Sequence, residues 1–259
     1  MRAISLFMYG RLKRLSSNPH DVIVHNEFLL ETIRQKYFPD HPSRLGGLYF
    51  FENAADAIRA HGEWGFCFSQ DYLSEISFNC SSYCRVDSEW ITHCIDKKTG
   101  TDWMVNYWSG APYGDTPLYE IVAEGFGVIK DLKIRNAAYS KYFFQHRDTT
   151  PLLSMACCAF SKGGFDNIAQ VTPFLSLSDN IISGSFLINM HDFNTREKEI
   201  VDKLGECAKN DELPLMVLPK DENAFFRIPD LNKRPEYTFK LQLTKSDLND
   251  IAPHFNYKK

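Results

Sequence analysis

Apolar positions along the first sixty residues change period several times, and each change predicts an element. Ile4 to Tyr9 carries apolar residues on both parities, which predicts an inner strand ended by Gly10-Arg11. Ser16-Ser17-Asn18-Pro19 is turn chemistry, and Asp21 to His25 is expected to return as a short extended piece. From Asn26, read as an N-cap, Leu29, Leu30, Ile33 and Tyr37 share one face of a helix that Pro39 stops. Glu31, Arg34 and Lys36 then form its wet side. Gly46-Gly47 leads into an aromatic strand, Leu48 to Phe51, and glycine there lets backbone approach closely because no Cβ stands in the way. Asn53 caps a short helix whose narrow apolar face is Ala54, Ala57 and Ile58, with Asp56 complementing the helix dipole.

Further on, Gly65 to Phe68 is predicted as a strand, and 69–89 alternates without a clear period. Thr101 caps a helix in which Met104, Tyr107 and Trp108 share a face and Gly110 closes the end. Pro117 can only begin a strand, and Tyr119 to Ala123 supplies one. A carboxylate at the head of an apolar strand is expensive unless it is solvated or used, which singles out Glu120; Glu124, beside Gly125, is the runner-up and reads as a strand-end surface acid. Lys130 to Lys141 is a basic connector. Asp148-Thr149-Thr150-Pro151 then predicts a boundary between a domain over 1–146 and a C-terminal α+β region over 147–259. There Phe174 to Leu177, Ile181 to Ile188, Leu215 to Leu218 and Tyr237 to Leu243 are expected strands. A helix from Asn194, with Glu197 at the capping-box position, is expected to bury Ile200, Val201, Leu204 and Ala208, and Thr244 with Asp247 starts a last helix. The fold class is α+β.

Composition narrows the chemistry. The net charge of -4 over 259 residues gives no global basic field, so a nucleic-acid partner would need a local patch such as Arg11 to Arg14 or the Lys130 to Lys141 connector. Neither a long apolar run nor a cleavage site occurs, and the odd number of cysteines suits reduced thiols, so a soluble cytoplasmic protein without membrane partners is expected. Cys80, Cys84, His93 and Cys94 do not match zinc spacing, and no metal is expected. A nucleophilic Cys67 or Cys157 lacks a local signature, and neither G-x-S-x-G nor G-x-G-x-x-G is present.

Gly47-Leu48-Tyr49-Phe50 followed by an Ala-rich helix resembles the second signature block of the ADP-ribosyltransferase fold. A helix with Glu31-x-x-Arg34, then Phe38-Pro39-x-x-Pro42-Ser43-Arg44-Leu45 and an aromatic strand, resembles a small, poorly characterised branch of that family, as does Tyr107-Trp108-Ser109-Gly110. The resemblance covers about residues 4 to 130. It implies a split antiparallel sheet with peripheral helices and NAD+ as a consumed substrate. Glu120 would be the catalytic glutamate, Tyr49 would stack on nicotinamide, and Tyr9, Gly10, Arg11, Ser43, Arg44 and Gly47 would hold the ribose and phosphates. Tyr9 departs from the histidine expected at its place; as plain residues, Tyr9 is a strand-end aromatic, Arg11 part of a basic turn, and Pro42-Ser43-Arg44 a shaped loop. Cleaving the nicotinamide–ribose bond passes through an oxocarbenium-like state that a nearby carboxylate stabilises. The implied activity is mono-ADP-ribosyl transfer to a macromolecular acceptor, RNA, DNA or protein. Members of the family are often bacterial toxins, effectors or phage-defence components, and an antitoxin or regulatory partner fits that setting. A non-catalytic binding module on the same fold and an NAD glycohydrolase are the alternatives.

Overall fold

The computed structural model describes residues 1–17, 21–65, 70–145, 156, 168, 170–210 and 230–255. Among them are two antiparallel sheets and eight α-helices, an α+β arrangement. Two compact units emerge: residues 1–134, 173–185 and 238–259 in the first, 135–172 and 186–237 in the second. The boundary expected at 146 lies outside the described residues. Part of the expected C-terminal strands therefore belongs to the first unit.

The N-terminus corrects the sequence reading. Only Arg2–Ala3 is strand (β1), and Leu6–Ser17 is a helix, α1. Ser5 is its cap, its Oγ accepting from the Met8 N–H at 3.2 Å. Met8, Tyr9 and Leu12 form the buried stripe while Leu6 and Phe7 face outward, so a helical period was hidden in a run that is apolar on both parities. The next helix, α2, runs Asp21–Tyr37, so Asp21 to His25 is its first turn and Asn26 lies within it rather than capping it. Asn26 Nδ2 donates to the carbonyls of Ile95 (2.9 Å) and Lys97 (3.1 Å). The buried side of α2 includes Val24, Phe28 and Leu30 together with Glu27 and Glu31, whereas Tyr37 is exposed.

The first sheet has the order β2-β4-β3, from Leu48–Phe50 (β2), Ile76–Asp87 (β3) and Tyr119–Ile129 (β4). Tyr49 pairs with Val122, Val122 with Cys84, and Glu120 with Val86. Strand alternation therefore puts Tyr49, Val122, Cys84, Glu120 and Val86 on one face. That face meets the core of Leu30, Ile91, Trp103, Met104, Tyr107 and Trp108. Ala54–Glu63 (α3) follows β2, capped by Asn53 Oδ1 accepting from the Asp56 N–H at 2.9 Å. Glu89–Cys94 (α4) and Asp102–Trp108 (α5) cover the core, and Gly110 at φ +74° ends α5 as expected. The expected strand at Gly65 to Phe68 falls almost wholly outside the described residues.

The second sheet has the order β1-β5-β6-β7, with Gln170–Ser178 (β5), Ile181–Asn189 (β6) and Phe239–Gln242 (β7). Asp179 and Asn180, both at positive φ, make the tight β5–β6 turn. Arg2 pairs with Leu175 and Ile182 with Leu241. Lys245–Ile251, whose cap Thr244 accepts from the Asp247 N–H, completes the first unit.

Within the second unit, Phe186 N–H donates to Asn232 Oδ1 (2.9 Å) and Asn232 Nδ2 donates back to the Phe186 carbonyl (3.1 Å). Leu132–Gln145 (α6) occupies the basic connector. His191–Lys209 (α7) begins before Asn194 and is kinked at Arg196. Ile200 is buried and Val201 is not, while Leu204 and Ala208 lie outside the described side chains. Leu215 to Leu218 lies outside the described residues as well. Lys245–Ile251 is α8.

Candidate functional site

Two ionic networks lie on α2 and the Pro42-Ser43-Arg44 turn. The first is sealed. Arg44, 2% exposed, donates through Nε and Nη2 to the two oxygens of Glu27 (3.0 and 3.3 Å). Its Nη1 donates to Tyr107 Oη (2.9 Å) and Glu120 Oε1 (3.3 Å), and Tyr107 Oη in turn donates to Glu120 Oε1 (3.2 Å). Arg11 Nε stands 3.3 Å from Glu27 Oε1. Tyr49 Oη donates to the Arg44 carbonyl at 2.6 Å, and Arg44 Cζ lies 5.2 Å from the Tyr49 ring. On a second side, Phe7 approaches that ring at 4.9 Å.

The two carboxylates on this guanidinium titrate in opposite directions. Burial raises the pKa of both, but for Glu27 the charges of Arg44 and Arg11 outweigh burial and the result is a lowered pKa. For Glu120 burial prevails over Arg44 and the Tyr107 hydrogen bond, so its pKa is raised. Burial also raises the Tyr49 and Tyr107 hydroxyls and pushes the Cys84 thiol up to about 12.

The second network is open. Glu31 accepts from Arg34 Nε (3.0 Å) and Nη2 (2.9 Å), Arg2 Nη2 (2.9 Å), Gln35 Nε2 (2.9 Å) and Ser43 Oγ (2.7 Å). Burial raises its pKa, but the Arg34 hydrogen bonds and the Arg2 and Arg34 charges outweigh this and hold it at about 2. These residues line a cleft of ≈ 610 Å³ together with Gly46, Glu124 and His254. Arg2 Nη2 also reaches Ser43 Oγ at 3.2 Å, while its Nε and Nη1 have no hydrogen-bond partner among the described residues.

Glu120, Tyr49 and Arg44 thus come together, with Arg11 joining through Glu27. Glu120 is only 6% exposed and does not line the cleft, whereas Glu124, on the same strand, is exposed and does. Tyr9 sits on α1 with its ring edge-on to Phe239 at 5.0 Å, and burial raises its hydroxyl to about 12. Gly10 is helical, and a Cβ there would meet only an Arg14 side chain at 3.7 Å. Gly47 has a packing reason: its Cβ would come within 2.8 Å of Val122 Cγ1 and 2.9 Å of the Ser43 carbonyl. Ser43 serves the open network and Arg44 the sealed one.

The reading of α2 as wet at Glu31 and Arg34 is overturned, since Glu31 is fully buried and Arg34 serves it. Sequence reasoning also missed Glu27, Arg2 and His254. Glu27-x-x-x-Glu31-x-x-Arg34 is legible as one helix face, but only once the helix is known to start at Asp21. Among the described residues, no group of three or more His, Cys, Asp or Glu side chains is placed to hold a metal, and no helix is long and apolar enough to cross a membrane. Cys67 and Cys157 lie outside the described residues. No family model, curated protein or solved structure matches the chain.

Proposed function

We propose that the protein is an NAD+-consuming mono-ADP-ribosyltransferase whose β2-β4-β3 sheet is part of a split-sheet core, and that the ≈ 610 Å³ cleft receives the dinucleotide. One observation carries this reading: an exposed carboxylate, Glu124, and a guanidinium two of whose nitrogens have no partner among the described residues, Arg2, line the same cleft with the Ser43 hydroxyl. Clefts of roughly 300–1,000 Å³ with a few convergent polar groups suit ligands of this size. Arg2, a planar fork, binds phosphate oxygens. Glu124 accepts a hydrogen bond from a ribose hydroxyl and stabilises the cation that develops as nicotinamide leaves. Glu120 is a positioning residue here: through Arg44 it ties α2, β2 and α5 to the strand that presents Glu124.

The sealed state of Glu120 favours a second reading, a non-catalytic binding module on the same architecture. Labelled NAD+ incubated with protein and RNA, DNA or lysate separates the two. Nicotinamide release with label on an acceptor is expected, and Glu124→Gln is expected to reduce it by roughly 10²–10³-fold. NAD+ left intact by the wild-type protein would overturn the transferase reading.

A further inference from the structure

The cleft is also lined by the imidazole of His254, which comes from the short helical turn Ala252–Phe255 after α8. Ile251 and Phe255 are buried on either side of it and anchor that turn. The His254 ring lies 5.6 Å from the Phe28 ring, and Nε2 is 3.0 Å from Thr32 Oγ1. The Thr32 hydroxyl has a single proton, which it donates to the Phe28 carbonyl at 3.2 Å. With that proton directed to Phe28, Thr32 Oγ1 accepts from His254, an arrangement that puts the ring proton on Nε2 and the lone pair on Nδ1. The ring is half-buried and also makes a hydrogen bond with the Phe28 backbone.

Resting on the transferase reading above, we propose that His254 Nδ1 is the proton acceptor for the attacking group, and that this group is a hydroxyl. A carboxylate acceptor arrives already deprotonated and needs no base, whereas an alcohol or water must lose a proton as it bonds to carbon. In the step, the bond from ribose C1′ to the nicotinamide nitrogen breaks and its electron pair leaves with neutral nicotinamide. The acceptor oxygen forms the new bond to C1′, and its proton passes to Nδ1 and then to solvent. The charged groups acting on the ring are Arg2 from β1 and Glu31 and Arg34 from α2, while Glu124 from β4 lines the same cleft. Burial first, then the Arg2 charge, keeps the imidazole below the ordinary histidine range, so it is neutral at pH 7 and available as a base.

The test uses the full chain, NAD+ and methanol as a small hydroxyl probe, following nicotinamide, ADP-ribose and its methyl glycoside against pH. The wild type is expected to form the methyl glycoside, with a rate that falls on the acid side. His254→Gln is expected to lower the rate by roughly 10²–10⁴-fold and to flatten that acid limb. Added imidazole is expected to restore part of the activity of His254→Ala, which a purely structural role would not allow. Thr32→Val, which leaves the imidazole in place, is expected to shift the limb, and long-range ¹⁵N spectra should report the Nε2–H tautomer in the wild type. Active wild type with an unchanged rate and limb in His254→Gln, or an Nδ1–H tautomer, overturns the proposal alone. NAD+ left intact by the wild type with every nucleophile overturns the transferase reading and this proposal with it. ADP-ribose without methyl glycoside supports the base with water as the attacking hydroxyl.

Discussion

Glu27 and Glu31 stand one turn apart on α2, and Arg44 and Ser43 are neighbours in the chain, yet they serve two networks of opposite character. Glu27 and Arg44 belong to a cluster sealed from water, with Tyr107 and Glu120 completing it. Glu31 and Ser43 belong to one that opens onto a cleft, where Arg2 Nε and Nη1 have no partner among the described residues. The difference lies in what each set of donors is left to do. In the sealed cluster all of the Arg44 nitrogens are engaged, and the pair holds only because desolvation is met by a bidentate contact. In the open cluster the carboxylate is saturated, while two Arg2 nitrogens have no hydrogen-bond partner among the described residues. Rigid support and binding capacity are thus divided between adjacent residues of a single turn.

The largest effect that would break this division is expected at Arg44. Arg44→Met leaves Glu120 buried without a counter-charge and Glu27 with Arg11 alone, and should cost roughly the 3–5 kcal/mol typical of breaking a buried pair, read from the urea unfolding midpoint. A loss below about 1 kcal/mol would mean the network is not sealed.

Acid should act next, through Glu31. Its carboxyl sits at about 2 in the folded chain, below the usual value near 4.3 when unfolded, so its contribution is full above the unfolded value and is lost as pH falls toward 2. That contribution is about 3 kcal/mol, and Glu31→Gln should flatten the stability profile over pH 5 to 2 relative to the wild type.

Gly47→Ala should be smaller. Its Cβ meets Val122 Cγ1 at 2.8 Å and the Ser43 carbonyl at 2.9 Å, so the turn must shift against β4, costing roughly 1–3 kcal/mol by thermal unfolding.

Smallest is Glu120→Gln. Because its folded pKa is raised, Glu120 favours the folded state most when protonated, and that contribution is lost as pH rises through the folded pKa. The neutral amide keeps an acceptor for Arg44 and Tyr107 and should cost under about 1 kcal/mol at neutral pH. A loss as large as that of Arg44→Met would mean that Glu120, not Glu27, is the principal partner.

The β2 and β4 strands, the Asn53 and Thr244 caps, the α5 helix with its Gly110 stop and the β5–β6 pair were legible locally. Each rests on a short-range preference: aromatic and branched residues for pleated backbone, a side-chain oxygen for a free N–H, glycine for positive φ. The first helix was not, because Ile4 to Tyr9 is apolar on both parities and the two periods cannot be separated over so short a run. Glu120 could be singled out as a costly acid in an apolar strand, but its partners could not. The chain by itself determined the short strands, caps and stops, and that one acid, Glu120, sits in an apolar strand. Only tertiary structure decided that Arg44 meets Glu27 and Glu120 while Arg2, Glu124 and His254 share a cleft, since those contacts join residues far apart in sequence and no local preference encodes them.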